Sequence, residues 1–305
     1  MKFSIVVPVY NVADYLDDCL TSLRMQDFTD FEVICVNDGS TDRSREILSG
    51  WASKLPQMKV VDRVNGGLSA ARNTGLAATT GDYIIFVDSD DWVEPTMLSQ
   101  LAEEVDGEDM VCFACRKNDN GAYDTLDTEK SDGWSYYNRH ALKHREVPFA
   151  CVWQRCYRRE FLLENDLYFR EGILHEDNEF TPRAFLKAKS IKVIPNVLYN
   201  YRVRPGSIMT TRGMKSKESL ITIGNELSAL FAKEDGIDKT IVFQALTQCY
   251  QMAFITNTRE EDRHLRPLVD WRCYRRVSRT KPRHRLHFFA LKISSPLFRF
   301  FCRIS

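Results

Sequence analysis

The run Tyr83-Ile-Ile-Phe-Val87 breaks directly into Asp88-Ser-Asp-Asp91, and no other segment constrains the fold as tightly. Five consecutive β-branched or aromatic residues read as a strand covered on both faces, inside a sheet. Ending that strand in three carboxylates puts acidic side chains at its carboxyl end, the edge where open α/β sheets bind ligands. Charges of one sign this close repel unless a cation lies between them. Mg²⁺ typically takes one or two carboxylates and completes its shell with substrate phosphates. On these residues alone the alternative is an acidic loop capping a helix that starts near Pro95.

The surrounding pattern supports the interior strand. Phe3 to Val7, Phe31 to Val36, Lys59 to Asp62 and Tyr83 to Asp88 are strand-like runs. Between and after them lie a helix capped by Asn11 and running to about Met25, a second ending near Ser53, a third over Leu68 to Ala78, and a fourth from Pro95 to near Val105. Repeated β-α-β units with right-handed crossovers give a mostly parallel, doubly wound, Rossmann-like sheet. Asp109 to Arg116 adds a strand expected at an edge, and the polar stretch Asn118 to Asp132 reads as a hairpin or loop. Val152 to Tyr157, a helix over His175 to Lys187 and a strand over Ile191 to Tyr201 complete the α/β part. Lys215 to Lys233 and Asp238 to Asn257 have helical composition without breakers. The expected organisation is an α/β catalytic domain over residues 1–212 and a helical C-terminal extension over 213–305.

Formal net charge is zero, but the average hides an asymmetry. No acidic residue follows Asp270, whereas Arg272, Arg275, Arg276, Arg279, Lys281, Arg283, Arg285, Lys292, Arg299 and Arg303 are all basic. The remaining 32 basic residues face 42 acidic ones, so the first 270 residues carry −10. Within that tail, Leu286 to Ile304 interleaves phenylalanine with Lys and Arg, the mix of a segment lying on an anionic bilayer. A nucleic-acid tail needs the charge but not the rings. Packing of those phenylalanines on the body is the competing expectation. No stretch of about 20 apolar residues occurs, so nothing is expected to span a bilayer. The start of the chain is too quickly polar for a signal peptide. The expected location is cytoplasmic and peripheral on the inner face of the cytoplasmic membrane. Cys112-x-x-Cys115 lies in a strand-like run, where residues three apart point to opposite faces, so buried free thiols are expected there rather than a metal or redox pair.

Four segments fall on the ligand edge of the inferred sheet. Val6-Val-Pro-Val-Tyr-Asn11 offers Pro8 to stiffen the strand exit and the Tyr10 ring for stacking on a base. Asp38, in Asn37-Asp-Gly-Ser40, suits the N–H of a pyrimidine ring. Asn65-Gly-Gly-Leu-Ser-Ala-Ala-Arg-Asn-Thr-Gly75 permits close backbone approach at a helix N-terminus, with Arg72 and Asn73 carrying donors further in. The carboxylate cluster is the fourth. Neither a Walker motif nor a Gly-x-Gly-x-x-Gly after the first strand is present, which disfavours nucleoside triphosphatase and nicotinamide chemistry.

In order and spacing, Ser4-Ile-Val-Val-Pro-Val-Tyr-Asn11, Val36-Asn-Asp-Gly-Ser-Thr-Asp42, Gly67-Leu-Ser-Ala-Ala-Arg-Asn-Thr-Gly75 and Phe86-Val-Asp-Ser-Asp-Asp-Trp92 resemble family 2 of the inverting glycosyltransferases. The resemblance covers roughly residues 2 to 212. It implies the GT-A fold, a nucleotide-sugar donor, usually uridine diphosphate-linked, and a divalent metal, Mn²⁺ or Mg²⁺. By position, the nucleotide-binding set is Pro8, Tyr10, Asp38, Asn65, Arg72 and Asp88, and Asp90 is the metal ligand. Leu174-His-Glu-Asp-Asn-Glu-Phe180 is similar to the family's Glu-Asp motif, which makes Asp177 the general base. Tyr199-Asn-Tyr-Arg-Val-Arg-Pro-Gly-Ser-Ile208 is similar to the loop that closes over the diphosphate, with Arg202, Arg204 and Ser207 neutralising it. The Gln-x-x-Arg-Trp motif of processive synthases is missing, so transfer of one sugar to a saccharide acceptor, lipid-linked in surface polysaccharide or capsule synthesis, is expected. A nucleotidyltransferase acting on sugar phosphates would want a glycine-rich basic loop after the first strand, where Val9-Tyr-Asn-Val-Ala13 stands. A non-catalytic nucleotide-sugar-binding module would have little need of both Asp90 and Asp177.

Overall fold

The computed structural model describes residues 2–118, 121–122, 126–143, 148–204 and 213–304. The chain divides into two compact units. One comprises Met1–Tyr137, His144–Gly172 and Phe180–Arg204; the other comprises Asn138–Lys143, Ile173–Glu179 and Pro205–Ser305.

Strand and helix alternate through the α/β part as β1 (Phe3–Val9), α1 (Leu16–Arg24), β2 (Phe31–Asn37), α2 (Ser44–Trp51), β3 (Met58–Asp62), α3 (Leu68–Ala78) and β4 (Tyr83–Phe86). There follow β5 (Trp92–Val93), α4 (Met97–Glu104), β6 (Met110–Lys117), β7 (Glu129–Ser131), α5 (Gly133–His140), β8 (Arg155–Arg158), α6 (Arg159–Glu164), α7 (Glu176–Lys187) and β9 (Ile191–Tyr201). The nine-stranded sheet has the order β3-β2-β1-β4-β8-β6-β9-β5, with β7 also on β9. β1 to β4 run parallel, as the repeated β-α-β pattern requires. β8 is antiparallel to both β4 and β6, and β5 and β7 are antiparallel to β9. The sheet is therefore mixed, with a parallel half that carries the ligand edge.

Period-two alternation in β1 explains why both faces are covered. Phe3, Ile5, Val7 and Val9 pack with Leu16, Leu20 and Leu23 of α1, Leu48 and Trp51 of α2, and Leu98 and Leu101 of α4. On the opposite face Ile34 and Val36 meet Ala71 of α3. There Gly75 lets α3 approach closely, because a Cβ at that position would stand 2.3 Å from Val6 Cγ1. Further along this face Phe86 meets Phe169, which stacks on Phe180 with ring centroids 4.3 Å apart.

Four expectations are corrected. β6 is not an edge strand: β8 and β9 flank it, and Met110 to Cys115 are all buried. Later chain segments insert on both of its sides, which local pattern does not reveal. Asn11 caps no helix. It adopts φ 51°, and its Oδ1 accepts from the Thr41 N–H at 2.8 Å, while α1 begins only at Leu16. β4 ends at Phe86, so Asp88 lies in the following loop. Pro95 is followed by α4 only from Met97, after the short strand β5.

The second unit contains α8 (Met214–Lys233), α9 (Thr240–Phe254), α10 (Arg259–Leu265), α11 (Trp271–Val277), α12 (Pro282–Ile293) and α13 (Ser295–Ile304). Gly224 of α8 admits the Tyr250 ring of α9, which an added Cβ would meet at 2.7 Å. Tyr250 stacks on Tyr274 of α11, and Phe288 of α12 meets Tyr274 edge-on. Thr258 and Glu261 form a reciprocal capping box at the start of α10. Among the described residues no helix is long and apolar enough to cross a membrane. The tail's phenylalanines divide between the two expectations: Phe288 and Phe298 are buried, whereas Phe289 and Phe300 are exposed.

Burial, then the neighbouring Arg283 and Lys281, push the His284 pKa from 6.5 down to about 4. The folded chain thus resists a proton that the unfolded chain accepts. The resulting stability is present above pH 6.5 and is lost as pH falls from there toward 4. Thermal unfolding between pH 7.5 and 4.5 should show a shallower pH slope in His284→Gln than in wild type. Equal slopes would remove His284 from the pH response.

Candidate functional site

The ligand edge is assembled from loops that leave the carboxyl ends of β1, β2 and β4. Pro8 is buried in β1, two residues beyond the last β1–β4 partner, Val6 with Phe86. Val6 C=O accepts from Val87 N–H at 3.0 Å, and with period two the Pro8 nitrogen points the same way, past the end of β4. Its missing N–H therefore costs no ladder bond. Tyr10 follows, 49% exposed, its ring open to stacking.

Asp38 is buried beneath the glycine loop and organises it. Its Oδ1 accepts from Arg63 Nη1 and Gly66 N, both at 3.0 Å, and its Oδ2 accepts from Gly67 N at 2.8 Å. Asn65 Nδ2 donates back to the Asp38 carbonyl at 2.9 Å. Three of a carboxylate's roughly four acceptor positions are thereby filled, so at most one remains for a base. Gly67, the N-cap of α3, sits at φ 89° and ψ 171°, an extended positive-φ conformation that glycine adopts readily. Asn73 is a clamp rather than a free donor: it donates to the Phe169 carbonyl at 2.9 Å and accepts from the Phe169 N–H at 2.8 Å. The Phe169 ring thus held lies 5.2 Å from the Arg72 guanidinium.

The three clustered carboxylates have three different environments. Asp88 accepts from the buried Arg72 Nη2 at 2.7 Å. Asp90 accepts from Arg204 Nε at 2.5 Å, and its carbonyl accepts from Arg202 Nε at 2.8 Å. Asp91 is buried, accepting from Tyr199 Oη at 2.6 Å and from the Arg202 backbone N–H at 2.7 Å. Burial, reinforced by Asp90 and Asp88, pushes the Asp91 carboxyl well above the usual carboxylate range. Tyr199 also accepts from Asp88 N–H at 3.1 Å, and its ring stacks on Trp153 with centroids 4.2 Å apart. One tyrosine therefore fixes both ends of the acidic turn. Sequence reading missed Tyr199, whose strand position resembles that of any core aromatic.

Arg202 and Arg204 gather on the same turn. Arg202 Nη2 donates to Asp18 at 2.7 Å, and its guanidinium lies 4.8 Å from the Trp92 ring centroid. Both guanidinium groups lie over Tyr15, at 5.3 and 5.2 Å. Ser207 lies outside the described residues. Asp90, the metal ligand expected from the sequence, is a hard oxygen donor paired here with Arg204. Among the described residues no three His, Cys, Asp or Glu side chains form a metal cage. One carboxylate suits an ion such as Mg²⁺ that completes its octahedron with water and phosphate oxygens.

Asp177 belongs to the second unit, half-buried in the first turn of α7 between the buried Glu176 and Glu179. His175, just before it, adopts φ 63° and shares a hydrogen bond with Ser216 Oγ at 2.7 Å. Leu174 N–H donates to Ser219 Oγ at 2.9 Å. Two α8 serines thus hold the approach to the Asp177 turn, so α8 is part of what positions it.

A parallel half-sheet whose strand ends carry a glycine loop, a buried Arg–Asp pair and an acidic turn defines a nucleotide-binding α/β protein. The model for glycosyl transferase family 2 matches residues 4–165, and the chain belongs to that family. It is 37% identical over 215 residues to the uncharacterized glycosyltransferase EpsJ of Bacillus subtilis, a match spanning 67% of this chain and 62% of that protein. To the uncharacterized glycosyltransferase YibD of Escherichia coli it is 32% identical, over 68% of this chain and 63% of the relative. The chain thus spans less than two thirds of either relative. The crystal structure of S. aureus TarS residues 1–349 with UDP-GlcNAc superposes with a TM-score of 0.76 at 25% identity, covering 99% of this chain and 90% of that one.

Proposed function

We propose that this chain transfers one sugar from a uridine diphosphate-linked donor to a hydroxyl of a saccharide acceptor, with inversion at the anomeric carbon. The observation that carries the reading is the acidic turn Asp88–Asp91, held by Arg72, Tyr199 and Arg204 in a family 2 fold. The structural relative with this fold holds UDP-GlcNAc. Tyr10 offers its ring to the base, and Asp38 with Asn65 shapes the glycine loop beside it. Arg72 holds Asp88 toward the ribose. Asp90 would hold a divalent ion, Mn²⁺ or Mg²⁺, which when bound would offset diphosphate charge. Arg202 and Arg204 neutralise the departing diphosphate once Arg204 leaves Asp90. Asp177 takes the acceptor hydroxyl proton as that oxygen attacks the anomeric carbon. Attack from the face opposite the leaving group inverts that carbon. The acceptor is proposed to be lipid-linked, which would bring a peripheral enzyme to the membrane surface.

A panel of nucleotide sugars tests this directly. The full chain with Mn²⁺ is expected to release UDP from at least one UDP-sugar, and more slowly without added metal. Turnover of none, or of nucleoside triphosphate plus sugar phosphate instead, would overturn the reading.

A further inference from the structure

α12 has two apolar sides, and only one of them faces the protein. His284, His287, Phe288 and Leu291 form a buried stripe at helical spacing. Leu286, Phe289 and Ile293, at i, i+3 and i+7, form a second stripe about half a turn away. Those three side chains are 43%, 55% and 73% exposed. Arg285 and Lys292 flank this outer stripe on one side and Arg283 on the other, all exposed. Lys281 stands at the helix start and Arg279 just before it, both exposed. The tail cation Arg299 is instead paired with Asp262 at 3.1 Å. A solvated helix face would not carry three large apolar residues in register. A face meant for an acidic protein would not need them at the centre of a cationic rim.

We infer that the outer face of α12 is a docking surface for an anionic lipid bilayer. The helix lies in the interface plane, with Leu286, Phe289 and Ile293 entering the acyl boundary and the flanking cations meeting anionic headgroups. Charge complementarity selects the occupant: residues 271–305 carry no Asp or Glu, so no acidic side chain of this segment repels an acidic surface. Only this face of the tail is assigned, since Phe288 and Phe298 already pack inside. The inference rests on the lipid-linked-acceptor reading for its purpose, and on α12 alone for its geometry.

The experiment uses the full chain with vesicles of phosphatidylcholine alone and of phosphatidylcholine mixed with phosphatidylglycerol. Wild type is expected to sediment with the anionic vesicles and not with the neutral ones. The triple variant Leu286→Ser, Phe289→Ser, Ile293→Ser should bind about tenfold or more weakly. A second variant, Arg283→Gln, Arg285→Gln, Lys292→Gln, should lose the preference for anionic lipid. It leaves the apolar stripe untouched and guards against a folding defect in the first. UDP-sugar turnover in solution should be unchanged in both, so failure of the donor reading is recorded separately. Equal binding of wild type and both variants would overturn the inference. So would a wild-type dimer in sedimentation velocity that the serine variant converts to monomer, which would assign the stripe to a second copy.

Discussion

Asp90→Ala is expected to reduce metal-dependent donor turnover by about 10²–10⁴-fold, since metal stabilisation of transition-state charge amounts to several kcal/mol and each 1.36 kcal/mol is a factor of ten. The fold should survive, because Asp90 lies on a turn after β4, with its side chain 23% exposed. The neighbouring Asp91 makes the structural contacts, to Tyr199 and to the Arg202 backbone. The Asp90–Arg204 bond at 2.5 Å adds a second expectation. Cation and guanidinium compete for one carboxylate, so Arg204→Ala should lower the Mn²⁺ concentration needed for half-maximal turnover while also lowering the maximal rate. Turnover measured against Mn²⁺ concentration for wild type and both variants checks this. If Asp90→Ala keeps more than about a tenth of the activity with an unchanged Mn²⁺ dependence, Asp90 does not hold the metal.

The three aspartates show where sequence reading stops. Asp88, Asp90 and Asp91 look interchangeable in the chain, and their clustering at a strand end was legible because a both-faces-buried strand must stop where charge begins. Their separate hydrogen-bond partners were not. Arg204 lies 114 residues from Asp90 and Tyr199 lies 108 from Asp91, and no local periodicity encodes such pairings. Asn11 has the residue type and position of a helix cap, yet its side-chain Oδ1 accepts from the Thr41 N–H in a neighbouring loop. The parallel half of the sheet was readable because each β-α-β unit is closed by local connections. The position of β6 was not, because antiparallel β8 comes from much later in the chain to lie beside it. α3 was read over its full range, since Gly67 opens it and its small residues sit where the sheet comes close.

Asp177→Asn is expected to leave UDP affinity unchanged while lowering transfer by about 10²–10⁴-fold, the usual share of general-base catalysis. The substitution keeps size and hydrogen-bonding capacity but removes the carboxylate that would take the acceptor proton. Its place in the first turn of α7 offers another explanation, because acidic residues there also stabilise the helix N-terminus, by about 0.3–1 kcal/mol. Glu176 and Glu179 occupy the same turn, so losing one charge of three should leave the helix in place. Two measurements separate the roles. Calorimetric titration of UDP reports whether the donor site is intact, and the pH profile of transfer reports the base. In wild type the rate should fall on the acidic side, and in Asp177→Asn that limb should vanish from whatever activity remains. Ser216→Ala offers the complementary case, since it removes the contact to His175 but leaves the carboxylate. It should lower the rate without changing the shape of the pH profile. A variant Asp177→Asn that loses UDP binding, or keeps the acidic limb, would make Asp177 a structural residue and leave the acceptor's proton to another base.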